Sequence, residues 1–280
     1  MTKDEQRRLA EAFRNMHRGP RLLLLPNAWD AMSARIFEAA GFAAVATTSA
    51  GLAWALGFPD GEQAPWSEVV AATQRIARTV RVPVSADIEG GYGETSDEVA
   101  RNVTEIIGAG AVGINLEDGC HAGVPIRSID DAAARIRAAR AAATAAEVPL
   151  FINARIDLYL KHIGDDESRF AETVERSKAY LAAGADGIFP FGLTDPGVIA
   201  ELAKAVGAPL NVMGRAGMPD VAELQRLGVA RVSTASGAAL AAMSLTQKIA
   251  AELRATGRFD MLESSMKRPE AQQLFAPRPG

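Results

Sequence analysis

The sequence predicts an α/β protein built as a (β/α)8 TIM barrel, with extra helices after the last strand. Three observations carry that reading. Eight short apolar runs are distributed along 280 residues, with longer amphipathic segments between them. The runs are continuously apolar rather than alternating, as parallel strands covered on both faces require. The phrases "EAAGFAAV", "IGAGAVGI", "AAGADGI" and "QRLGVARV" recur as helix end, glycine and strand start, which marks one αβ unit used repeatedly. Eight such units close naturally into a barrel of about 250 residues. A doubly wound sheet would carry a glycine-rich turn after its first strand, where this chain has "PNAWD".

In chain order, the expected strands begin with "LLLL" (Leu22 to Leu25), "AAVATT" (Ala43 to Thr48), "VPVSAD" (Val82 to Asp87) and "AVGINLE" (Ala111 to Glu117). They continue with "PLFINARI" (Pro149 to Ile156), "DGIFPF" (Asp186 to Phe191), "APLNVM" (Ala208 to Met213) and "ARVST" (Ala230 to Thr234). Between them, "SEVVAATQRIARTV", "SDEVARNVTEIIGAG" and "SRFAETVERSKAYLAAGA" read as amphipathic helices, the last two stopped by a glycine. After the eighth strand "GAALAAMSLTQKIAAELRATG" reads as a helix, and "RFDMLESSMKRPEAQQLF" has helical character with several hydrophobes. No linker divides the chain, so residues 1–280 form one barrel domain with 237–280 as a helical extension. The hydrophobes of that extension suit exchange with a neighbouring subunit, in a dimer or tetramer.

Composition narrows the function. A net charge of -4 supplies no basic excess to neutralise phosphates, which argues against electrostatic binding to nucleic acid or an anionic membrane. The single cysteine, Cys120, rules out an intramolecular disulfide and fits a reducing compartment. The charged start "MTKDEQRRLAEAFRNMHRG" is not a secretory signal, and no apolar run reaches bilayer length. A cytoplasmic, soluble protein is expected.

Barrel enzymes gather their chemistry at the C-terminal ends of the strands. The polar residues there are Asn27 and Asp30, Thr48 and Ser49 with Asp60 in the following loop, then Asp87 and Glu89. Glu117 and Asp118, Asn153, Arg155 and Asp157, and Asn211 complete the set. Acids at adjacent strand ends repel one another unless a cation neutralises them. Asp87, Glu89 and Glu117 therefore form a candidate Mg2+ site, an ion that uses few carboxylates and keeps several waters. Arg155 offers a bidentate fork to a substrate carboxylate; the other reading is a structural ion pair with Glu117 or Asp157. Cys120 and His121 are adjacent loop residues, which rarely face each other, so they read as an incidental pair. His162 reads as a surface helix residue. Trp54 and Trp66 flank a loop and serve packing or line a pocket.

Together these residues resemble the isocitrate lyase and phosphoenolpyruvate mutase family. The segments "TTSAGLAWALGFPD", "ADIEGGYG", "NLEDG", "INARID" and "GADGIFP" match that family's signatures in order, from about Leu22 to Ser236. The resemblance implies a barrel, a magnesium ion, and cleavage or formation of a C–C or C–P bond next to a 2-oxo acid or its enolate. It also implies that Asp87 lies closest to the metal, with Glu89, Glu117 and Asp60 acting through its waters. Thr48, Ser49 and Ala50 match the positions that hold the substrate carboxylate with a hydroxyl and two backbone amides, and Arg155 matches the substrate-binding arginine. Asp87 and Asn211 are further substrate-side candidates, and Arg155, Asp60 and Glu117 make up the expected catalytic set. The glycines of "GGYG" would let the backbone pass close to the ion.

The departures matter as much. Lyases of the family carry a Lys-Lys-Cys-Gly-His type loop several residues beyond Glu-Asp, whereas this chain reads "LEDGCHAGVPI", with Cys120 too early and no lysines. The phosphonate-handling members place a lysine directly after Glu-Asp, where Gly119 stands, and a polar residue where this chain has Phe191. The expected activity is Mg2+-dependent cleavage of a 2-oxo acid such as oxaloacetate or a related 2-oxo dicarboxylate, the enolate being protonated by water, Tyr92 or Cys120. The alternatives are an enzyme like phosphoenolpyruvate or carboxyphosphonoenolpyruvate mutase, and a non-catalytic 2-oxo acid binding protein. A Schiff-base aldolase would have to use Lys161, which lies beyond its strand rather than within it.

Overall fold

The eight expected strands all form, and the first is split in two by a proline. The computed structural model describes residues 1–120, 125–263 and 265–276. It runs α1 (Lys3–Met16), β1 (Leu23–Leu25), β2 (Asn27–Ala28), α2 (Ala31–Ala39), β3 (Val45–Thr47), α3 (Ser49–Leu56), α4 (Trp66–Thr79) and β4 (Val84–Asp87). There follow α5 (Ser96–Gly108), β5 (Gly113–Glu117), α6 (Ile129–Ala145), β6 (Phe151–Ile156), α7 (Asp166–Ala182) and β7 (Gly187–Pro190). The chain then continues through α8 (Pro196–Val206), β8 (Asn211–Met213), α9 (Val221–Arg226), β9 (Arg231–Ser233), α10 (Gly237–Thr256) and α11 (Arg268–Leu274).

Every strand pairing is parallel, in two runs: β1-β9-β8 and β2-β3-β4-β5-β6-β7. Pro26, lacking an N–H, interrupts the ladder between β1 and β2. Its carbonyl still accepts from Ala46 N at 2.8 Å, so the first strand passes from one neighbour to the other. On the far side a parallel bridge joins Ile188 to Leu210, with Ile188 N donating to Pro209 O at 3.0 Å. The ring thereby closes. At the helix ends Gly41, Gly110, Gly184 and Gly228 all have positive φ, the left-handed turn that stops each helix before its strand.

The N-terminal segment holds an element that its charged composition conceals. Thr2 and Glu5 form a capping box at the start of α1, and Ala10 and Phe13 are buried on its inner side. Phe13 enters the bottom of the barrel where Gly113 leaves room: a Cβ at Gly113 would lie 2.6 Å from Phe13 Cε1. The His17 ring stacks on Phe151 at 3.7 Å. At the other end, α10 buries only Ala239. Leu240, Met243, Leu245 and Leu253 stay exposed, as do Phe259, Leu262 and Met266 beyond it. The tail does not leave its own barrel entirely, since Arg35 Nε of α2 donates to the Leu274 carbonyl in α11. Among the described residues no helix is long and apolar enough to cross a membrane.

Candidate active site

The strands deliver their polar ends to one cavity of about 260 Å³. Asn27, Thr48, Ser49, Ala50, Asp60, Asp87, Asn115 and Arg155 line it, with Phe189 and Phe191 as an apolar wall. Thr48 caps α3, its hydroxyl accepting from Gly51 N at 3.5 Å. That places the first turn of α3, with its outward N–H groups, on the cavity. Ser49 N donates to Asp87 Oδ2 at 3.2 Å, while Thr47 Oγ1 accepts from Asp87 N at 2.9 Å. Asp87 Oδ1 is buried and has no hydrogen-bond partner among the described residues.

The acids crowd together. Burial raises the Asp87 carboxyl above its usual range, with Glu89 adding to the shift and Arg155 opposing it. Asp60 is raised as well, by burial first and then by Glu89 and Asp87. Glu89 is only 2% exposed. Its carboxylate accepts from Glu62 N at 3.1 and 3.0 Å and from Tyr92 Oη at 2.8 Å. Tyr92 N in turn donates to Glu62 Oε1 at 2.7 Å. Glu62, Glu89 and Tyr92 each have positive φ although none is glycine, a strained backbone that persists when surrounding bonds over-determine it. The glycines beside them serve packing. A Cβ at Gly91 would meet Val99 at 2.9 Å and one at Gly93 would meet Glu98 Cβ at 2.6 Å. Gly91 and Gly93 of "GGYG" let the loop lie against α5.

Arg155 makes both ion pairs of the structural reading and also reaches the cavity. Nη1 lies 2.7 Å from Glu117 Oε2, and Nε and Nη2 donate to Asp157 at 2.7 and 3.0 Å. Its guanidinium carbon sits 3.9 Å from the centroid of Phe191, and the residue lines the cavity. Burial works to lower its pKa, but Glu117, Asp157 and Asp87 outweigh that and hold the group firmly charged. Phe191, one of the departures from the phosphonate-handling pattern, covers this cation.

Among the described residues no three His, Cys, Asp or Glu side chains are gathered as direct ligands for one ion. The donor set still suits Mg2+, which takes one or two carboxylates and completes its octahedron with water. Asp87 Oδ1 is a buried acceptor without a hydrogen-bond partner among the described residues, and Asp60 lines the same cavity as Asp87.

Other candidates are brought elsewhere. Asn211 does not line the cavity; its amide exchanges hydrogen bonds with Ser233, which does. Asp118 turns away to Arg176 and Tyr180 Oη. Tyr92 Oη is spent on Glu89. Cys120 lies with Glu62, Tyr92 and Arg127 in a neighbouring groove, and its carbonyl accepts from Lys161 Nζ at 3.2 Å. His121 lies outside the described residues. His162 is exposed in a turn after β6 and not on a helix. Trp66 donates to Glu105 and packs on Tyr92, and neither Trp54 nor Trp66 lines the cavity. Asn115, Ser233 and Phe189 are lining residues that the strand-end inventory passed over. The period of two along a strand would have found Asn115, since it shares its face with Glu117.

A parallel barrel with acids and an arginine at the C-terminal strand ends has the layout of a barrel enzyme. The model of the phosphoenolpyruvate phosphomutase family matches residues 13–254, and the chain belongs to that family. It is similar to an oxaloacetate decarboxylase of Ectopseudomonas mendocina (strain ymp), 31% identical over 258 residues that cover 88% of this chain and 84% of that one. A protein of Burkholderia cenocepacia J2315, provisionally classed as a lyase/mutase, is 38% identical with a TM-score of 0.91, covering 98% of both chains. A phosphonopyruvate hydrolase in complex with oxalate and Mg2+ is 26% identical with a TM-score of 0.83, covering 98% of this chain and 95% of its own.

Proposed function

We propose that the protein is a Mg2+-dependent lyase that cleaves a C–C bond of a small 2-oxo dicarboxylate such as oxaloacetate. One observation carries the reading: the unpartnered Asp87 Oδ1 lies in the same cavity as Arg155 and the first turn of α3. That cavity can take a cation and an anion side by side. Asp87 would hold the ion directly, and Glu89, Glu117 and Asp60 would act through its waters. Bound Mg2+ would supply a Lewis acid toward the oxygens of the substrate.

The chain's own groups bind and orient. The Ala50 N–H at the start of α3 and the Thr48 hydroxyl receive a carboxylate, favoured by the positive end of the helix. Arg155 donates two of its five N–H groups to Asp157 and pairs by charge with Glu117, and its remaining N–H groups can serve a ligand. The Phe189–Phe191 wall limits water in the cavity, which strengthens the electrostatic contacts inside. Gly119 and Phe191 favour the C–C over the C–P alternative, because the polar groups of the phosphonate-handling pattern are missing there. The exposed apolar side chains of α10 and the tail support a homo-oligomer, and a lone cysteine suits the cytoplasm.

Turnover of oxaloacetate with Mg2+ tests the proposal, comparing wild type with Asp87→Ala. The expected result is activity in the wild type and none in the variant, with the two melting cooperatively. A wild type that binds oxaloacetate but never turns it over would leave a 2-oxo acid binding protein. Equal activity in both would remove Asp87 from the metal site.

A further inference from the structure

The barrel interior holds a cation that makes no ion pair with a carboxylate among the described residues. Arg231 of β9 is 1% exposed. Its Nη2 donates to Asn115 Oδ1 at 3.2 Å, while Nε and Nη1 have no partner among the described residues. Burial pushes this guanidinium down to about 9, with Asp87 pulling the other way, so it stays charged near neutral pH. An unpaired buried charge costs several kcal/mol, and a hydrophobe of similar size would ordinarily be cheaper at such a position. Packing alone does not account for it.

The group it touches faces the active site. Asn115 is the register partner of Asp87 on β4 and lines the cavity beside it. Its Oδ1 accepts twice, from Asn153 Nδ2 at 2.9 Å and from Arg231 Nη2 at 3.2 Å. A guanidinium only donates, so the Asn115 atom turned toward Arg231 must be the oxygen. The amide nitrogen is then turned the other way. No described residue accepts from Nδ2, and Asn115 lines the cavity.

We infer that Asn115 donates an Nδ2 hydrogen bond to an oxygen of the bound 2-oxo acid, and that Arg231, with Asn153, fixes the amide in that orientation. The inference rests on the function proposed above and adds to it a substrate-contacting residue and two positioning residues. Arg231 also places positive charge beneath the cavity floor, where a low dielectric preserves its field toward an anion. The floor then presents donors to the ligand beside Asp87, which suits a keto or carboxylate oxygen and disfavours an ammonium. The discrimination is between a 2-oxo acid and its 2-amino counterpart.

Calorimetry with oxalate and Mg2+ provides the test. Asn115→Asp keeps an acceptor for Arg231 and Asn153 but replaces the outward donor, and Asn115→Ala removes it without adding charge. Both should bind at least about tenfold more weakly than wild type, the loss expected for one hydrogen bond to a charged group. Asn115→Asp should melt no lower than wild type, which a purely structural role would not produce. Arg231→Met should weaken binding, and Arg231→Lys should recover much of it because an ammonium also only donates. Asn115 variants within about twofold of wild type would overturn the inference, as would Arg231→Lys binding no better than Arg231→Met. If Arg231→Met fails to fold, the Asn115 pair decides alone. A wild type that binds neither oxalate nor oxaloacetate with Mg2+ would overturn the proposed function and this inference with it. Binding by wild type with unaffected Asn115 variants overturns only the inference.

Discussion

Arg155 and Asp157 lie two residues apart at the end of β6, and the arginine closes a fork onto both carboxylate oxygens of the aspartate at 2.7 and 3.0 Å. The same guanidinium reaches Glu117, its register partner on β5, at 2.7 Å. All three side chains are nearly enclosed, Arg155 being 12% exposed and the two acids 2–3%. The arginine is therefore held by the protein before any ligand arrives. Preorganisation of this kind lowers the cost of binding an anion, and it ties recognition to stability.

Replacing Arg155 with lysine exposes both roles. Lysine is a point charge and cannot reproduce the fork, so Asp157 loses charge-assisted bonds worth about 1.5–3 kcal/mol. Arg155→Lys should melt several degrees lower and lose most of the stabilisation that a 2-oxo acid with Mg2+ confers. Thermal denaturation with and without oxalate checks this. An unchanged melting temperature would mean that the ion pairs contribute nothing.

Gly119 explains why a lysine does not follow Glu-Asp in this chain. A Cβ there would lie 2.5 Å from Asp157 Oδ2 and 3.2 Å from Glu117 Oε1. Any side chain pushes into the two carboxylates that grip Arg155. Gly119→Ala should cost about 1–3 kcal/mol through overpacking and should weaken ligand binding by displacing Arg155. Denaturant unfolding with a normal midpoint in this variant would show that the loop absorbs the methyl group without disturbing the fork.

What was legible in the sequence follows from what local pattern can encode. Strands buried on both faces leave continuous apolar runs, and helix-stop glycines such as Gly184 leave a fixed mark before them. The acids at the ends of β4 and β5 could be located because barrel chemistry gathers there. Other features depend on partners far along the chain. Phe13 looks like one apolar residue in a charged helix until Gly113, a hundred residues on, shows the space it fills. That Gly91 and Gly93 pack on Val99 and Glu98 of α5 could not be read locally, because the fold alone brings that helix to the loop. Arg231 stood in the open, a charge inside the apolar run "ARVST". A central strand residue that defies burial invites the question of what it serves.

The lower end of the barrel should make the protein sensitive to acid through His17. The ring is enclosed between Phe13 and Phe151, and its Nδ1 lies 2.8 Å from the Phe13 carbonyl. Burial, reinforced by the Arg231 charge, drives its pKa from 6.5 down to about 3. The folded protein thus keeps His17 neutral across a range in which the unfolded chain protonates it. Below pH 6.5 the unfolded state binds the extra proton, so stability falls with pH by about 1.4 kcal/mol per unit until the folded pKa is reached. Above pH 6.5 neither state is protonated there and the effect vanishes. His17→Phe preserves a ring against Phe151 and removes the titration. Between pH 6.5 and 5 the wild type should lose about 2 kcal/mol more stability than the variant, a difference of roughly 4 °C in melting temperature for a chain of this length. Carboxylates that titrate in the same interval act equally on both proteins and drop out of the comparison. Parallel stability curves for the two would mean that His17 takes up its proton without disturbing the fold, and that the ring is less enclosed in solution than its stacking on Phe151 implies.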